Sequence, residues 1–226
     1  MPFRIMGSIF KTFVMSVSIN LDKILKEVEG YNPKIIAVTK YYGKDKMIEA
    51  YHAGLRDFAE SRALEAIEKI NNIDDTDKTQ SVYHFIGHLQ TNKVKHVVGF
   101  FDYIHSVDSL KIAQCIDLEA QKRGIVQKIL VQVNNALEPQ KFGIYPNDLE
   151  NLIEEVKKMK SVELVGLMNI APLIDDENEL RRLFLEMKEL KEKYNLKELS
   201  MGMSQDYKLA LECGATMIRL GRILFN

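Results

Sequence analysis

The chain has 226 residues, with 31 Lys and Arg against 32 Asp and Glu, and 46% of it is hydrophobic, a balance that places it among globular proteins and not among disordered ones. A formal charge of -1 gives no broad basic footprint, which excludes DNA, RNA or an acidic membrane surface as an expected partner. No run approaches the roughly 18 apolar residues of a membrane span, and Cys115 and Cys213 lie far apart, outside any Cys-x-x-Cys pair, which fits a reducing cytoplasm.

Residues 1–17 are apolar, but Lys11 interrupts the run and no small-x-small cleavage site follows; they read as a frayed extension, with the folded domain expected over 18–226. Leu21, Ile24, Leu25 and Val28 then form an apolar stripe at helical spacing, and Gly30 and Pro33 end it. The β-branched run from Lys34 to Lys40 reads as a strand buried on both faces. Further strands are expected over 57–60, 82–87, 103–107, 128–134, 162–169, 198–203 and 216–220.

Between them, helices are expected over 44–53, 62–72, 90–98, 109–123 and 205–213. Two more carry clear stripes: Leu149, Leu152, Ile153, Val156 and Met159, entered by Pro146, and Leu180, Leu183, Phe184, Met187 and Leu190. The acidic stretch Asp175 to Glu179 reads as a solvated loop and helix start. Eight strands alternating with helices, with no linker, predict an α/β fold: a single (β/α)8 TIM-type barrel preceded by an additional N-terminal helix. A doubly wound open sheet is the rival, but the turn after its first strand reads Thr39-Lys40-Tyr41-Tyr42-Gly43 and not as a glycine-rich phosphate turn.

Chemistry in such a barrel gathers at the C-terminal ends of the strands. Those ends read Lys40, Glu60, Gly87-His88, His105-Ser106, Asn134, Met168-Asn169, Met203-Ser204 and Arg219-Leu220-Gly221, a polar ring around one mouth. Lys40 closes an apolar strand, where an amine is placed to attack a carbonyl; a lysine that simply reaches solvent is the alternative. Ser200 to Ser204 and Arg219 to Arg222 follow the seventh and eighth strands, where glycine lets backbone N–H groups approach a phosphate and a helix starting near Ser204 would add its dipole. Gly202 and Gly221 serving turns alone, with Ser204 as a helix cap, is the plainer reading. Met168 and Met203 could flank a planar ligand. His84 and His88, four apart on a strand with no third ligand nearby, make a poor metal pair.

Taken in order, Ala37-Val38-Thr39-Lys40, Gly54 to Phe58 with Glu60, His84 to Gly87 with Leu89 to Lys93, Phe101 to Asp108, Lys141-Phe142-Gly143, Gly166-Leu167-Met168, Leu199 to Ser204 and Arg219-Leu220-Gly221 form a specific set. From about residue 20 onward the chain resembles the pyridoxal-phosphate homeostasis protein family, whose members are similar to the N-terminal barrel domain of alanine racemase. The resemblance implies that Lys40 holds pyridoxal 5'-phosphate through a Schiff base, with Met203, Ser204 and the amides of Gly221 and Arg222 at the cofactor and Arg219 facing its ring nitrogen. It further implies a protein that buffers the cofactor or hands it to apoenzymes; a cytoplasmic monomer is the default expectation beside it. Ser61 stands where relatives usually have Asn, and Arg222 where they usually have Thr, which exchanges a hydroxyl of the phosphate cradle for a guanidinium.

Two other classes compete with a carrier. A small racemase needs a second acid/base, supplied in the racemases by a tyrosine from an additional domain; His88, His105, Tyr41 and Lys93 are the substitutes available here. A cofactor-free lyase or aldolase would use the Lys40 amine directly on a phosphorylated sugar.

Overall fold

The computed structural model describes residues 6–226, with side chains from Ser16 onward. Eight parallel strands close into a barrel in chain order: β1 (Lys34–Val38), β2 (Asp57–Glu60), β3 (Val82–Phe85), β4 (Tyr103–Val107), β5 (Gln127–Gln132), β6 (Val162–Met168), β7 (Glu198–Ser200) and β8 (Met217–Leu220). β8 pairs with β1 to complete the ring, Ile36 lying opposite Arg219. The open-sheet alternative is thereby excluded. Outside the ring run helices α1 (Met6–Glu27), α2 (Lys44–His52), α3 (Ala63–Asn71), α4 (Asp75–Thr79), α5 (Val94–Val97), α6 (Leu110–Arg123), α7 (Pro146–Lys157), α8 (Glu177–Lys193), α9 (Tyr207–Glu212) and α10 (Arg222–Phe225).

Local chemistry accounts for these elements. Pro146 occupies the first turn of α7, where its missing N–H costs nothing, and Asp176 caps α8 by accepting from the amides of Asn178 and Glu179. Gly124 ends α6 in the left-handed conformation at φ 67°. Leu149, Leu152, Ile153 and Val156 of α7, and Leu180, Leu183, Phe184 and Met187 of α8, bury the stripes read from the sequence. In α1, Leu21, Ile24 and Val28 at its end are buried, whereas Leu25 faces solvent, because the helix presents a narrower face to the barrel than the stripe implied.

Residues 1–5 of the expected N-terminal extension lie outside the described residues. The boundary drawn after residue 17 falls inside α1, and Val17 is fully buried, its amide donating to Glu49. The larger core fills the space between strands and helices, and a smaller one occupies the barrel interior around Ile36, Ala59, Leu130, Val165, Met168 and Met217. Met168 therefore packs inside the barrel and does not flank a ligand at the mouth. β1, β3, β5 and β7 end at Val38, Phe85, Gln132 and Ser200, short of the expected ends, and the next residue of each, Thr39, Ile86, Val133 and Met201, makes one further backbone bond to a neighbouring strand before the chain leaves the sheet.

Candidate functional site

The site begins with how the turn after β1 is held. Thr39 is buried and its hydroxyl donates to Glu60 Oε1 at 2.6 Å, while Lys69 of α3 reaches the same carboxylate at 2.5 Å. The Lys69 ammonium also donates to the carbonyls of Thr39 and Tyr42, each at 2.9 Å. A buried ion pair thus clamps the backbone on both sides of Lys40. The clamp spares Lys40 itself: half-buried, its ammonium lies 5.1 Å from the centroid of the Tyr41 ring, and among the described residues no carboxylate pairs with it. Tyr42 joins this turn to the end of the chain, its hydroxyl donating to Asn226 and its ring packing on Phe225 with centroids 4.5 Å apart.

Lys40, Met203, Ser204, Arg219, Gly221 and Arg222 line one cleft of about 240 Å³ at the C-terminal mouth. That is slightly below the roughly 300–1,000 Å³ of drug-sized pockets, room for a single ring and its substituents. Among the described residues, the backbone N–H groups of Ser204, Gln205, Gly221 and Arg222 have no protein acceptor. Gly202 makes the first of these loops possible: its φ is +90°, and a Cβ there would lie 2.7 Å from that of Ala210. The expected helix near Ser204 starts only at Tyr207, because the Asp206 carboxylate accepts from the Met203 amide at 2.5 Å and holds residues 203–206 as a turn. Ser204 is therefore no helix cap, and α9 contributes no dipole at that residue. Burial pushes the Asp206 carboxyl up, against the opposing pull of Arg219.

Arg219 forms the floor. It is buried, and one terminal nitrogen donates to Ser200 O at 2.7 Å and Ser200 Oγ at 2.8 Å, while the other donates to Asn169 O at 2.7 Å. A guanidinium carries five N–H donors, so two remain for a ligand in the cleft. Burial pushes its pKa down to about 10, and it remains a cation at neutral pH. Arg222 is exposed on the rim, with no carboxylate partner among the described residues, and lies within reach of an anion bound in the cleft.

Several residues of the expected polar ring stand elsewhere. His105 is fully buried inside the barrel, and both its ring nitrogens are engaged, by Ser200 Oγ at 3.0 Å and His84 Nδ1 at 2.9 Å, which removes it from the candidate acid/bases. His88 stacks on Phe142 and lies 3.4 Å from Asp108, and Tyr41 is 81% exposed. Ser61 follows β2 with its backbone against Gly87, where a Cβ would come within 2.1 Å of the Ser61 carbonyl. Lys69, Ser200 and Asn169 carry more of the architecture than their sequence context announced, since their partners Glu60 and Arg219 belong to other elements.

The chain matches the alanine racemase N-terminal domain family over residues 16–226. It is 37% identical over 217 residues to the pyridoxal phosphate homeostasis protein of Aquifex aeolicus, covering 91% of this chain and 94% of that protein. It is 40% identical over 199 residues to the protein of that name from Synechocystis, covering 85% and 90%. The chain belongs to the pyridoxal phosphate homeostasis protein family. Among solved structures, PipY of Synechococcus elongatus, determined without and with PLP bound, superposes with TM-scores of 0.86 and 0.85 at 37% identity, covering 93% of this chain and all of that one. Alanine racemase of Clostridium difficile shares the fold, with a TM-score of 0.76 at 18% identity, and this chain covers 56% of it. The sequence motifs of the homeostasis family thus coincide here with an open cleft whose lysine, amides and buried arginine are unsatisfied on the ligand side.

Proposed function

We propose that this protein binds pyridoxal 5'-phosphate in the mouth of its barrel and serves as an intracellular buffer or delivery protein for that cofactor. The observation that carries the reading is the Lys40 amine, free of carboxylate partners, sharing a cleft with four unpaired backbone N–H groups and the two spare donors of Arg219. These groups fit a phosphorylated ring aldehyde: an amine for the carbonyl, N–H groups for phosphate oxygens, and a donor for a ring nitrogen. When bound, the cofactor supplies a carbonyl that condenses reversibly with amines and a ring that withdraws electrons.

The chain's own residues set the limits of that chemistry. Lys40 supplies the covalent anchor, Ser204 with the amides of Gly221 and Arg222 holds the phosphate, Arg222 adds charge at the rim, and Met203 covers one side. Arg219 only donates, so a ring nitrogen facing it accepts and stays unprotonated, which weakens the ring as an electron sink. Tyr41, beside Lys40, is exposed, His105 is consumed internally and His88 stacks on Phe142 next to Asp108, which leaves none of these three well held as a second acid/base. Retention and release of the cofactor follow more naturally from this set than turnover of amino acids. The pyridoxal phosphate homeostasis relatives and the PLP-bound PipY structure support the reading.

Titration with pyridoxal phosphate tests it. Wild-type protein is expected to bind one equivalent covalently, and Lys40→Ala is expected to lose that binding while remaining folded by circular dichroism. Undiminished stoichiometric binding by Lys40→Ala contradicts the anchor. Solvent-deuterium incorporation at the α-carbon across a panel of amino acids, at rates typical of enzymes, would move the protein to the racemase class.

A further inference from the structure

Behind the cleft, the barrel interior holds a continuous file of polar side chains where branched apolar residues are the rule. Arg219 donates to Ser200 Oγ at 2.8 Å, Ser200 Oγ lies 3.0 Å from His105 Nδ1, His105 Nε2 lies 2.9 Å from His84 Nδ1, and His84 Nε2 lies 2.9 Å from Asp57 Oδ1. Ser200, His105 and His84 are fully buried, whereas Asp57 opens β2 at the opposite end of the barrel from Lys40 and reaches solvent.

The direction of each bond follows from what the two ends can do. A carboxylate only accepts, so His84 Nε2 carries a proton; in a neutral ring Nδ1 is then an acceptor. His105 Nε2 must donate to it, which leaves His105 Nδ1 to accept from the Ser200 hydroxyl. Ser200 Oγ in turn accepts from Arg219, which has no other role available. Every donor points the same way, from the guanidinium to the carboxylate, and aligned bonds of this kind polarise one another in a low dielectric.

The surroundings hold both rings neutral. Burial lowers the His84 pKa against the opposing pull of Asp57 and Asp102, and burial, with the repulsion that a protonated His84 would exert and the charges of Arg219 and Lys34, holds His105 well below the usual range. Tyr103 stacks on His84 with centroids 4.7 Å apart and planes 8° apart, fixing the ring, and Lys34 and Lys128 lie over the Tyr103 ring at 4.7 and 5.2 Å. Lys34 also sits 4.0 Å from Asp57.

We infer that Asp57, His84, His105 and Ser200 form a relay through the barrel that orients and polarises Arg219, making Asp57 a remote positioning residue for the guanidinium at the ligand's ring nitrogen. Arg219 thus feels two carboxylates, Asp206 directly at the near mouth and Asp57 through the hydrogen-bonded file, and its two spare donors are aimed by groups that never touch the ligand. The effect on the ligand rests on the cofactor reading above; the relay itself is independent of it.

Histidine ¹⁵N NMR of the protein without added ligand, near pH 7, tests the relay alone. His84 and His105 are both expected as neutral Nε2–H tautomers, and an Nδ1–H tautomer or an imidazolium at either ring overturns the proposal. In Asp57→Asn the carboxamide can donate to His84 Nε2 and flip both imidazoles, while Arg219, which can only donate, keeps its bond to Ser200 Oγ. Both rings are then expected to populate the Nδ1–H form, and the pH midpoint of the visible band of the loaded protein to move by about one unit, tenfold in the proton equilibrium. Asp57→Glu is expected to restore the wild-type tautomers and midpoint. An unmoved band in Asp57→Asn, whether the tautomers flip or stay with the carboxamide oxygen accepting, overturns the coupling to Arg219. Failure of wild-type protein to form a Lys40 adduct would instead strike the cofactor reading, leaving the tautomer result to stand on its own.

Discussion

Lys69 has no counterpart among the residues that sequence motifs single out, yet it decides where Lys40 stands. Its ammonium satisfies the buried Glu60 carboxylate and two carbonyls of the β1 turn, and removing one partner of such a pair leaves a charge in the interior. Lys69→Met is therefore expected to cost about 3 kcal/mol in urea unfolding, and to weaken cofactor binding in proportion to the disorder it introduces at residues 39–42. An unchanged unfolding midpoint would show that the clamp carries no weight. The buried histidines set a second residue-scale expectation. Their folded pKa values lie below the unfolded value, so the unfolded chain binds more protons once the pH falls beneath about 6.5. The stability they contribute is complete above that pH and is lost progressively as the pH falls toward their lowered folded values. Urea unfolding followed from pH 7.5 down to pH 5 should show stability falling by up to roughly 1.4 kcal/mol per pH unit for each histidine; a flat profile would mean that neither ring is held neutral by the fold.

At the scale of elements, the cleft is built by what the strands do when they stop. β7 ends at Ser200, and the chain then turns through Gly202 before α9, leaving the amides of Ser204 and Gln205 without acceptors. Gly202→Ala would place a Cβ against Ala210 and Tyr207 at a positive φ, an expected loss of about 1–3 kcal/mol. Thermal unfolding should report that loss, and phosphate-dependent binding should fall together with it. Wild-type affinity in a destabilised Gly202→Ala would detach this loop from the cradle. Much of the element pattern is legible in the sequence, because Ile35 to Val38 of β1 and Leu164 to Met168 of β6 are uncharged, largely apolar runs and α7 and α8 carry clean stripes. Other features were not. α4 buries no residue and so leaves no stripe, and α10 is a four-residue turn set by packing at the chain's end. β3, β5 and β7 stop short of their expected ends, because the apolar pattern runs on through Ile86, Val133 and Met201, each of which makes only one further backbone bond to a neighbouring strand.

For the molecule as a whole, closure of the barrel creates contacts that no local pattern announces. Lys40, Met203, Ser204, Arg219, Gly221 and Arg222 could be gathered at one mouth from strand order alone. The file from Arg219 to Asp57 could not, because His84, His105 and Ser200 sit on three strands and meet only inside the ring. The same closure lets α1 hold both ligand loops from outside. Asn20 donates to the carbonyls of Leu224 and Asn226, and Glu27 accepts from Tyr207 and pairs with Lys208, so one helix grips the segments that follow β7 and β8. Asn20→Ala combined with Glu27→Ala is expected to lower stability by only about 1–3 kcal/mol, yet to speed cofactor release several-fold, measured by trapping released cofactor with a competing amine. An unchanged release rate would confine α1 to a packing role.

The most direct test of the central claim is borohydride reduction of the protein mixed with pyridoxal phosphate, followed by peptide mass mapping. The expected result is a visible band that disappears on reduction, with the added mass on the peptide containing Lys40 and no other. No band, or a mass placed on a different lysine, would contradict it.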